Sequence, residues 1–274
     1  MLIILLCFVA ISGNSQDIET ENTFLANNER WTLEIPLWVP GFRGNLAYGN
    51  ITLDGESGNL PDFPGQLPDE DGNIFTRFFN GGKSLRFFFV GRAAYESDKI
   101  LIQADAIGGS VGANLKFNYN DISLVDATIN AGFARTYFGY ELYEVWSEKG
   151  EARFRIHGYA GARLTYFSFY SELFNTIKTL DIQNTWLTAL VGVHLQLDTR
   201  KWQFTLTSDL GGFRFNDRIN YSNQLTVYYR VSDLVSIRAG WYDIDVKHRS
   251  TLNGQTFKWQ TRLSGPSLGV GFHF

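Results

Sequence analysis

Residues 264–274 read SGPSLGVGFHF. From Leu268 onward every second residue is apolar, up to Phe274, and only glycine and histidine stand between them. Strict alternation of this kind predicts a β-strand with two different faces. In water such a strand would present an adhesive, unpaired edge, which soluble proteins avoid. We therefore expect it to pair with the first strand of a closed barrel and to turn its apolar face toward lipid.

Long amphipathic runs fill the rest of the chain from about residue 84. Short charged connections alternate with connections that are longer or richer in Asn and Gly, as in outer-membrane barrels. The sequence predicts an all-β protein, a transmembrane antiparallel up-and-down β-barrel of about ten strands. Twelve strands is the alternative, since the two longest runs have room for another hairpin. The first strand is expected at 31–38 with a continuation over 42–53, and the others at 84–95, 100–117, 122–143, 152–173, 182–197, 201–215, 219–231, 234–248 and 257–274.

The sequence also predicts what the segments outside the barrel are. Residues 1–15 resemble a secretory signal peptide, because an apolar run over 2–11 is followed by small residues. Residues 16–29 are polar and acidic and are expected to form a short periplasmic lead-in. The barrel then occupies 30–274, with a proline-rich, acidic outer loop at 54–83.

Composition limits the function classes. The 274 residues carry a formal net charge of -4. The chain therefore lacks the excess of basic residues that is typical of nucleic-acid-binding proteins, and no nucleic-acid partner is expected. Aromatic residues make up 16% of the chain, as interfacial girdles require. Trp31, Trp146 and Trp202 are expected in the girdle at one end, and Trp186 and Trp259 in the girdle at the other.

Four short strings occur in a familiar order: Pro36-Leu37-Trp38 with Pro40-Gly41, then 209–213 (DLGGF), 241–246 (WYDIDV), and the closing 264–274. In this order they resemble a broad family of Gram-negative outer-membrane β-barrel proteins described as porin-like, which has no agreed activity. The resemblance implies the cell outer membrane, a lipid bilayer as partner, and assembly machinery that reads a terminal aromatic residue, here Phe274. It implies no catalytic residue, no metal and no cofactor.

Alternation also sorts the charged side chains by face. A charge that faces lipid at the membrane midplane costs about 2–4 kcal/mol, so each charge is assigned to the lumen. A bulge is expected between Ala131 and Ala134, where the alternation slips. Two interpretations stay open: an internal ladder of ion pairs that fills the barrel, or a narrow positive path that favours anions. The predicted lumen residues are Arg86, Arg92, Arg135, Arg153, Arg155, Arg163, Arg230, Arg238, Glu34, Asp105, Glu141 and Asp209.

A membrane-embedded hydrolase at the outer rim is the alternative from another class. It would need a histidine beside an acid near that rim. His248 with Asp243 or Asp245 is the one candidate that spacing offers. The leading interpretation remains a barrel without enzymatic activity, either structural or a narrow channel for small polar or anionic solutes.

Overall fold

The computed structural model describes residues 29–38, 41–48, 51–57, 85–115, 125–172, 179–212 and 219–274. The described residues contain no helix of the length and apolarity needed to cross a membrane. They form twelve strands: β1 (Arg30–Trp38), β2 (Gly41–Tyr48), β3 (Ile51–Ser57), β4 (Leu85–Glu96), β5 (Ile100–Leu115), β6 (Val125–Trp146), β7 (Ala152–Glu172), β8 (Thr179–Thr199), β9 (Trp202–Gly211), β10 (Asn220–Arg230), β11 (Val235–Leu252) and β12 (Gln255–His273).

Ten strands close the wall, which confirms the all-β barrel of about ten strands. The order is β1-β4-β5-β6-β7-β8-β9-β10-β11-β12, all antiparallel, and β12 returns to β1. Trp31 and Phe274 exchange both backbone hydrogen bonds at this seam, at 3.1 and 2.9 Å, so the last strand pairs with the first as predicted. We call this end of the barrel, where both Arg30 and Phe274 lie, the termini end, and the opposite end the loop end.

The first strand is interrupted. β1 pairs with β12 from Ser267 to His273, and β2 pairs with the same strand from Phe257 to Ser264, so the two share one place in the wall. β3 then turns back and pairs with β2 as an extra strand. One continuous strand over 42–53 is therefore wrong, and 54–57 belong to β3 rather than to the outer loop. The signal peptide, the lead-in up to residue 28 and loop residues 58–83 lie outside the described residues.

Two other expectations are corrected. The connection expected between the strands at 234–248 and 257–274 is a two-residue turn at Asn253 and Gly254, with φ of 51° and 76°. Both angles lie in the left-handed region that a type I′ hairpin turn requires, and Asn-Gly is its preferred sequence. The register of β6 runs unbroken through 131–134, and its irregularity lies between Glu141 and Tyr143. Small residues, not a bulge, cause the slip in the pattern there.

The two faces of the wall differ in polarity near the termini end. On β1, Ile35 is 62% exposed on the outside, whereas Glu34 is 3% exposed on the inside. The same arrangement recurs on β11, where Ile237 faces out and Arg238 faces in. An apolar exterior around a polar interior is the arrangement of a membrane-spanning barrel. Exterior pairs such as Trp31 on Tyr95 and Trp202 on Tyr229, with centroids 4.9 and 4.8 Å apart, form its aromatic girdle.

The polarity reverses toward the loop end. On β11, Ile244 and Val246 are buried, whereas Asp243 lies outside and accepts two hydrogen bonds from Arg262 of β12 at 2.8 and 3.0 Å. This half resembles the wall of a soluble barrel, with an apolar inside and a charged outside. The expectation that Trp186 and Trp259 belong to an exterior girdle is wrong, because both point into the barrel.

Candidate functional site: the barrel interior

The structure brings most of the predicted lumen residues together inside the wall. Seven of the arginines are at most 8% exposed: Arg92, Arg135, Arg153, Arg155, Arg163, Arg230 and Arg238. Glu34 and Asp209 are buried with them, and the Asp105 side chain is 8% exposed. Glu141 stands apart at the β6 irregularity and belongs to none of the ion pairs found among the described residues. The side chain of Arg86 lies outside the described part of the chain.

Glu34 is the centre of the first charged group. Its carboxylate pairs with Arg238 and accepts a hydrogen bond from the Tyr228 hydroxyl at 2.8 Å. Arg92 approaches it to 3.6 Å and donates to the Tyr242 hydroxyl at 2.8 Å. Charge-assisted hydrogen bonds of this kind connect β1 and β4 to β10 and β11 across the interior, so they link strands that are not neighbours in the wall.

Asp209 and Asp105 hold the second group. Arg135 donates to Asp209 at 2.5 Å and to Asp105 at 2.6 Å, and Arg163 donates to Asp209 at 2.7 Å. The Tyr159 hydroxyl also reaches Asp209, at 3.4 Å, because its ring lies over Gly192. A Cβ at Gly192 would sit 2.5 Å from Cζ of that ring, so only glycine leaves room for it. Two arginines and two acids make this group neutral.

The third group lies at the termini end and contains residues that the sequence analysis missed. Asp198 accepts from Arg155 and from Arg230, each at 3.2 Å. Glu96 accepts from Arg30 at 2.7 Å and also pairs with Arg155. The sequence had assigned both acids to connections. Alternation continues through His194-Leu195-Gln196-Leu197-Asp198, so the signal for Asp198 was present.

An apolar layer lies inside the barrel above these charges. Its buried members are Trp38, Val90, Ile107, Phe133, Phe167, Phe169, Ile182, Tyr242, Ile244, Val246, Phe257 and Trp259. The Phe167 and Trp259 rings are 4.8 Å apart, and Trp259 stacks on Phe133 at 6.2 Å. In the described part of the chain β9 ends at Gly211 and β10 begins at Asn220, and at this level Trp186 of β8 stacks on His248 of β11, with ring centroids 4.1 Å apart.

This geometry contradicts the proposed hydrolase dyad. His248 points into the barrel and stacks on Trp186. Asp243 and Asp245 stand on the other face of β11, where Asp243 holds Arg262 and Asp245 contacts Lys247 at 3.1 Å. Residues an odd number apart on one strand face opposite sides, so neither acid reaches the imidazole. The spacing alone already excluded this pair.

Comparisons with known proteins agree with the fold. No protein-family model and no curated protein sequence matches the chain. Among solved structures, it is similar to the outer membrane protease OmpT of Escherichia coli, with a TM-score of 0.52 and 10% identity, over 89% of this chain and 97% of that one. At this identity the likeness concerns the fold alone.

Two further solved structures are weaker matches. Ail, the attachment invasion locus protein of Yersinia pestis, has a TM-score of 0.36 and 11% identity, over 90% of this chain and all (100%) of that one. The translocator domain of the autotransporter NalP from Neisseria meningitidis has a TM-score of 0.32 and 11% identity, over 90% and 89%. The closed wall and its apolar exterior establish what this chain shares with such proteins: it has the fold of the outer-membrane β-barrels, embedded in the lipid bilayer of the outer membrane.

Proposed function

We propose that this protein is a closed structural barrel, which anchors a water-exposed β-extension and its loops at the membrane surface and conducts no solute. The observation that carries the proposal is the apolar layer. Phe167, Phe257 and Trp259 are at most 2% exposed, and they meet near the barrel axis above the charged groups. Rings of β7 and β12 that touch across the barrel would block the path of a hydrated ion.

The proposal includes an orientation. The termini end faces the periplasm, and the loop end, with its charged exterior, stands in water outside the cell. Short turns such as Ser97–Lys99 lie at the termini end, as in bacterial outer-membrane barrels. The extension presented outside would then include β2, β3 and the loop-end parts of β6, β7, β8, β11 and β12.

A narrow path for small anions is the second candidate. The observation in its favour is that arginines outnumber acids among the described interior side chains. The arginines are Arg30, Arg92, Arg135, Arg153, Arg155, Arg163, Arg230 and Arg238, and the acids are Glu34, Glu96, Asp105, Asp198 and Asp209. A positive wall favours anions, provided that the lumen is wide enough to admit them.

Single-channel recording in a planar bilayer separates the two. The refolded barrel should show no conductance steps, whereas the double variant Phe167→Ala with Trp259→Ala should show small ones, because it removes two rings from the seal. Trp241→Ala is the matched control, since Trp241 lies on the exterior and donates to Ser264 at 3.1 Å. Regular conductance steps in the wild type, with a reversal potential shifted toward that of the anion, would contradict the closed barrel and favour the anion path. In that case the double variant Arg155→Glu with Arg238→Glu should weaken the anion selectivity.

A further inference from the structure

One strand of the wall has an unpaired edge at the termini end. β5 pairs with β6 only as far as Ile100, opposite Tyr140, and the last bond on this side runs from the Glu141 amide to the Lys99 oxygen at 2.8 Å. β6 continues over residues 142–146, which pair with β7 alone among the described strands. We call residues 142–146 the free edge. The other neighbouring pairs of described strands at this end stay in register up to their turn or chain end.

The free edge has to lie in water or among lipid headgroups, because unpaired backbone groups are not tolerated in the hydrocarbon core. From Tyr143 to Trp146 its register with β7 is unbroken, so it presents a regular strand to an incoming one. Its apolar side chains are between 43% and 66% exposed: Leu142, Tyr143, Val145 and Trp146. An extended peptide can add to such an edge through backbone hydrogen bonds, with its alternate side chains on the two faces.

The charges beside the free edge are mostly acidic. Glu144 lies in its middle, and the Oε2 atom of Glu141, next to its start, is buried without a hydrogen-bond partner in the described part of the chain. The two hairpins carry here the acids Asp98, Glu141, Glu144, Glu148 and Glu151 and the bases Lys99, Lys149 and Arg153. A charge within an edge discourages pairing with another apolar strand, whereas an opposite charge on the incoming strand is favourable. The surplus of acids therefore favours a basic partner.

The symmetry of a membrane dimer argues against a second copy of this chain at the free edge. The axis of such a dimer lies along the membrane normal, so the two β6 strands would both run toward the termini end. Because barrel strands are tilted by about 35–45°, they would cross at about 70–90° and could not form a ladder. The chain's own residues 16–28 carry the same sign as the edge, with Asp17, Glu19 and Glu21 and no base.

We propose that residues 142–146 of β6 bind an extended basic segment of another protein, which adds to the wall as a further strand. Backbone hydrogen bonds provide the affinity, and Glu144 pairs with a lysine or arginine of the segment. The proposal does not depend on whether the barrel conducts. The proposed orientation of the barrel places the partner in the periplasm.

Fluorescence anisotropy tests the proposal with a labelled heptapeptide of alternating valine and lysine, added to the full refolded chain in phosphatidylcholine nanodiscs. We expect saturable binding, and a loss of about tenfold or more in affinity when alternate peptide nitrogens are methylated, because methylation removes donors and keeps the side chains. Glu144→Gln should weaken binding by about threefold to tenfold. Glu148→Gln is the matched control, since Glu148 lies in the turn beyond the edge, and it should bind like the wild type.

Cross-linking locates the peptide on the barrel. In a Cys7→Ser background, a heptapeptide with one cysteine should form a disulfide with Val145→Cys and not with Leu234→Cys, which is also an exposed apolar position at the termini end. Heat-shifted migration on an unboiled gel shows that each variant is folded. No saturable binding to the wild type, equal affinity for the methylated peptide, or equal cross-linking of the two cysteine variants would overturn the proposal.

Discussion

The termini half and the loop half of this barrel are built from the same strands with opposite polarity. In the termini half the inside holds ion pairs around Glu34, Asp209 and Asp198, and the outside is apolar. In the loop half the inside holds the rings of the apolar layer, and the outside carries Asp243, Arg262 and their neighbours. The comparison shows that alternation defines which residues share a face, whereas the surrounding solvent decides which face is polar.

The reversal occurs within single strands. On β11, Arg238 faces in, four residues before Tyr242, whose hydroxyl still accepts a hydrogen bond from it at 3.0 Å. Two residues later, Ile244 belongs to the apolar layer. On the exterior, Trp241 precedes Asp243. The pair Trp241 and Tyr242 therefore marks the level where the outer surface passes from lipid to water.

The largest expected effect comes from breaking an ion pair in the termini half. Asp209→Asn leaves Arg163 buried with a neutral partner in place of a carboxylate and leaves Arg135 with Asp105 alone. Removing one member of a buried pair costs about 3–5 kcal/mol. The measurement is the free energy of unfolding of the refolded barrel in a urea titration.

The loop half offers a matched control for this change. Asp243→Asn breaks the pair with Arg262, whose side chain is 54% exposed, and exposed pairs contribute about 0–1 kcal/mol. Equal losses in Asp209→Asn and Asp243→Asn would contradict the difference between the two halves.

A new charge on the exterior should have the next largest effect. Ile237→Lys places an ammonium group against lipid and is expected to cost about 2–4 kcal/mol if it lies near the midplane. Gln183→Lys makes the same addition on the exterior of the loop half, opposite the uncharged Ser168, and should change the free energy of unfolding by less than about 0.5 kcal/mol. If both variants lose stability equally in vesicles, the lipid boundary does not lie near Trp241.

Crowding inside the termini half gives a smaller effect. Gly192→Ala places a Cβ within 2.5 Å of both the backbone oxygen of Ser208 and Cζ of the Tyr159 ring, so both the β9 backbone and the ring must shift, and it should cost about 1–3 kcal/mol. Gly108→Ala is its control, since the nearest atom to an added Cβ is the Ala131 oxygen at 3.8 Å, an ordinary contact. Both are measured by chemical unfolding, and an unchanged free energy of unfolding in Gly192→Ala would contradict the close approach of Ser208 and Tyr159 to Gly192.

The smallest effect on stability, and the largest on assembly, is expected at the last residue. Phe274→Asp changes a side chain that is 71% exposed near the interface, which costs about 0–1 kcal/mol. We propose that its larger effect is on recognition by assembly machinery, so the amount in isolated outer membranes should fall severalfold. Wild-type amounts of this variant, measured against Phe272→Leu, would remove Phe274 as an assembly signal.

The sequence predicted the parts of this structure that depend on local alternation. The number of wall strands, the pairing of the last strand with the first and the inward face of the seven described arginines follow from a period of two residues. The polarity reversal did not follow, because one pattern fits a strand in lipid and a strand in water. Trp259 was therefore assigned to the wrong face. Which acid meets which arginine depends on contacts across the barrel, between strands far apart in the chain, as with Glu34 and Arg238.

Pro36 has a consequence for how the wall opens. β1 pairs with β4 only from Arg30 to Glu34, which is the shortest ladder between described strands of the wall. The backbone N–H of Trp31 points to β12, and because the direction alternates along an antiparallel strand, the N–H groups of even-numbered β1 residues point to β4. Proline at position 36 has no amide proton to offer there, so the ladder has no donor with which to continue. Mechanical unfolding should therefore begin with separation of β1 from β4. The earliest exchange of amide protons for deuterium within the wall should also begin at the β1–β4 junction and spread outward from it.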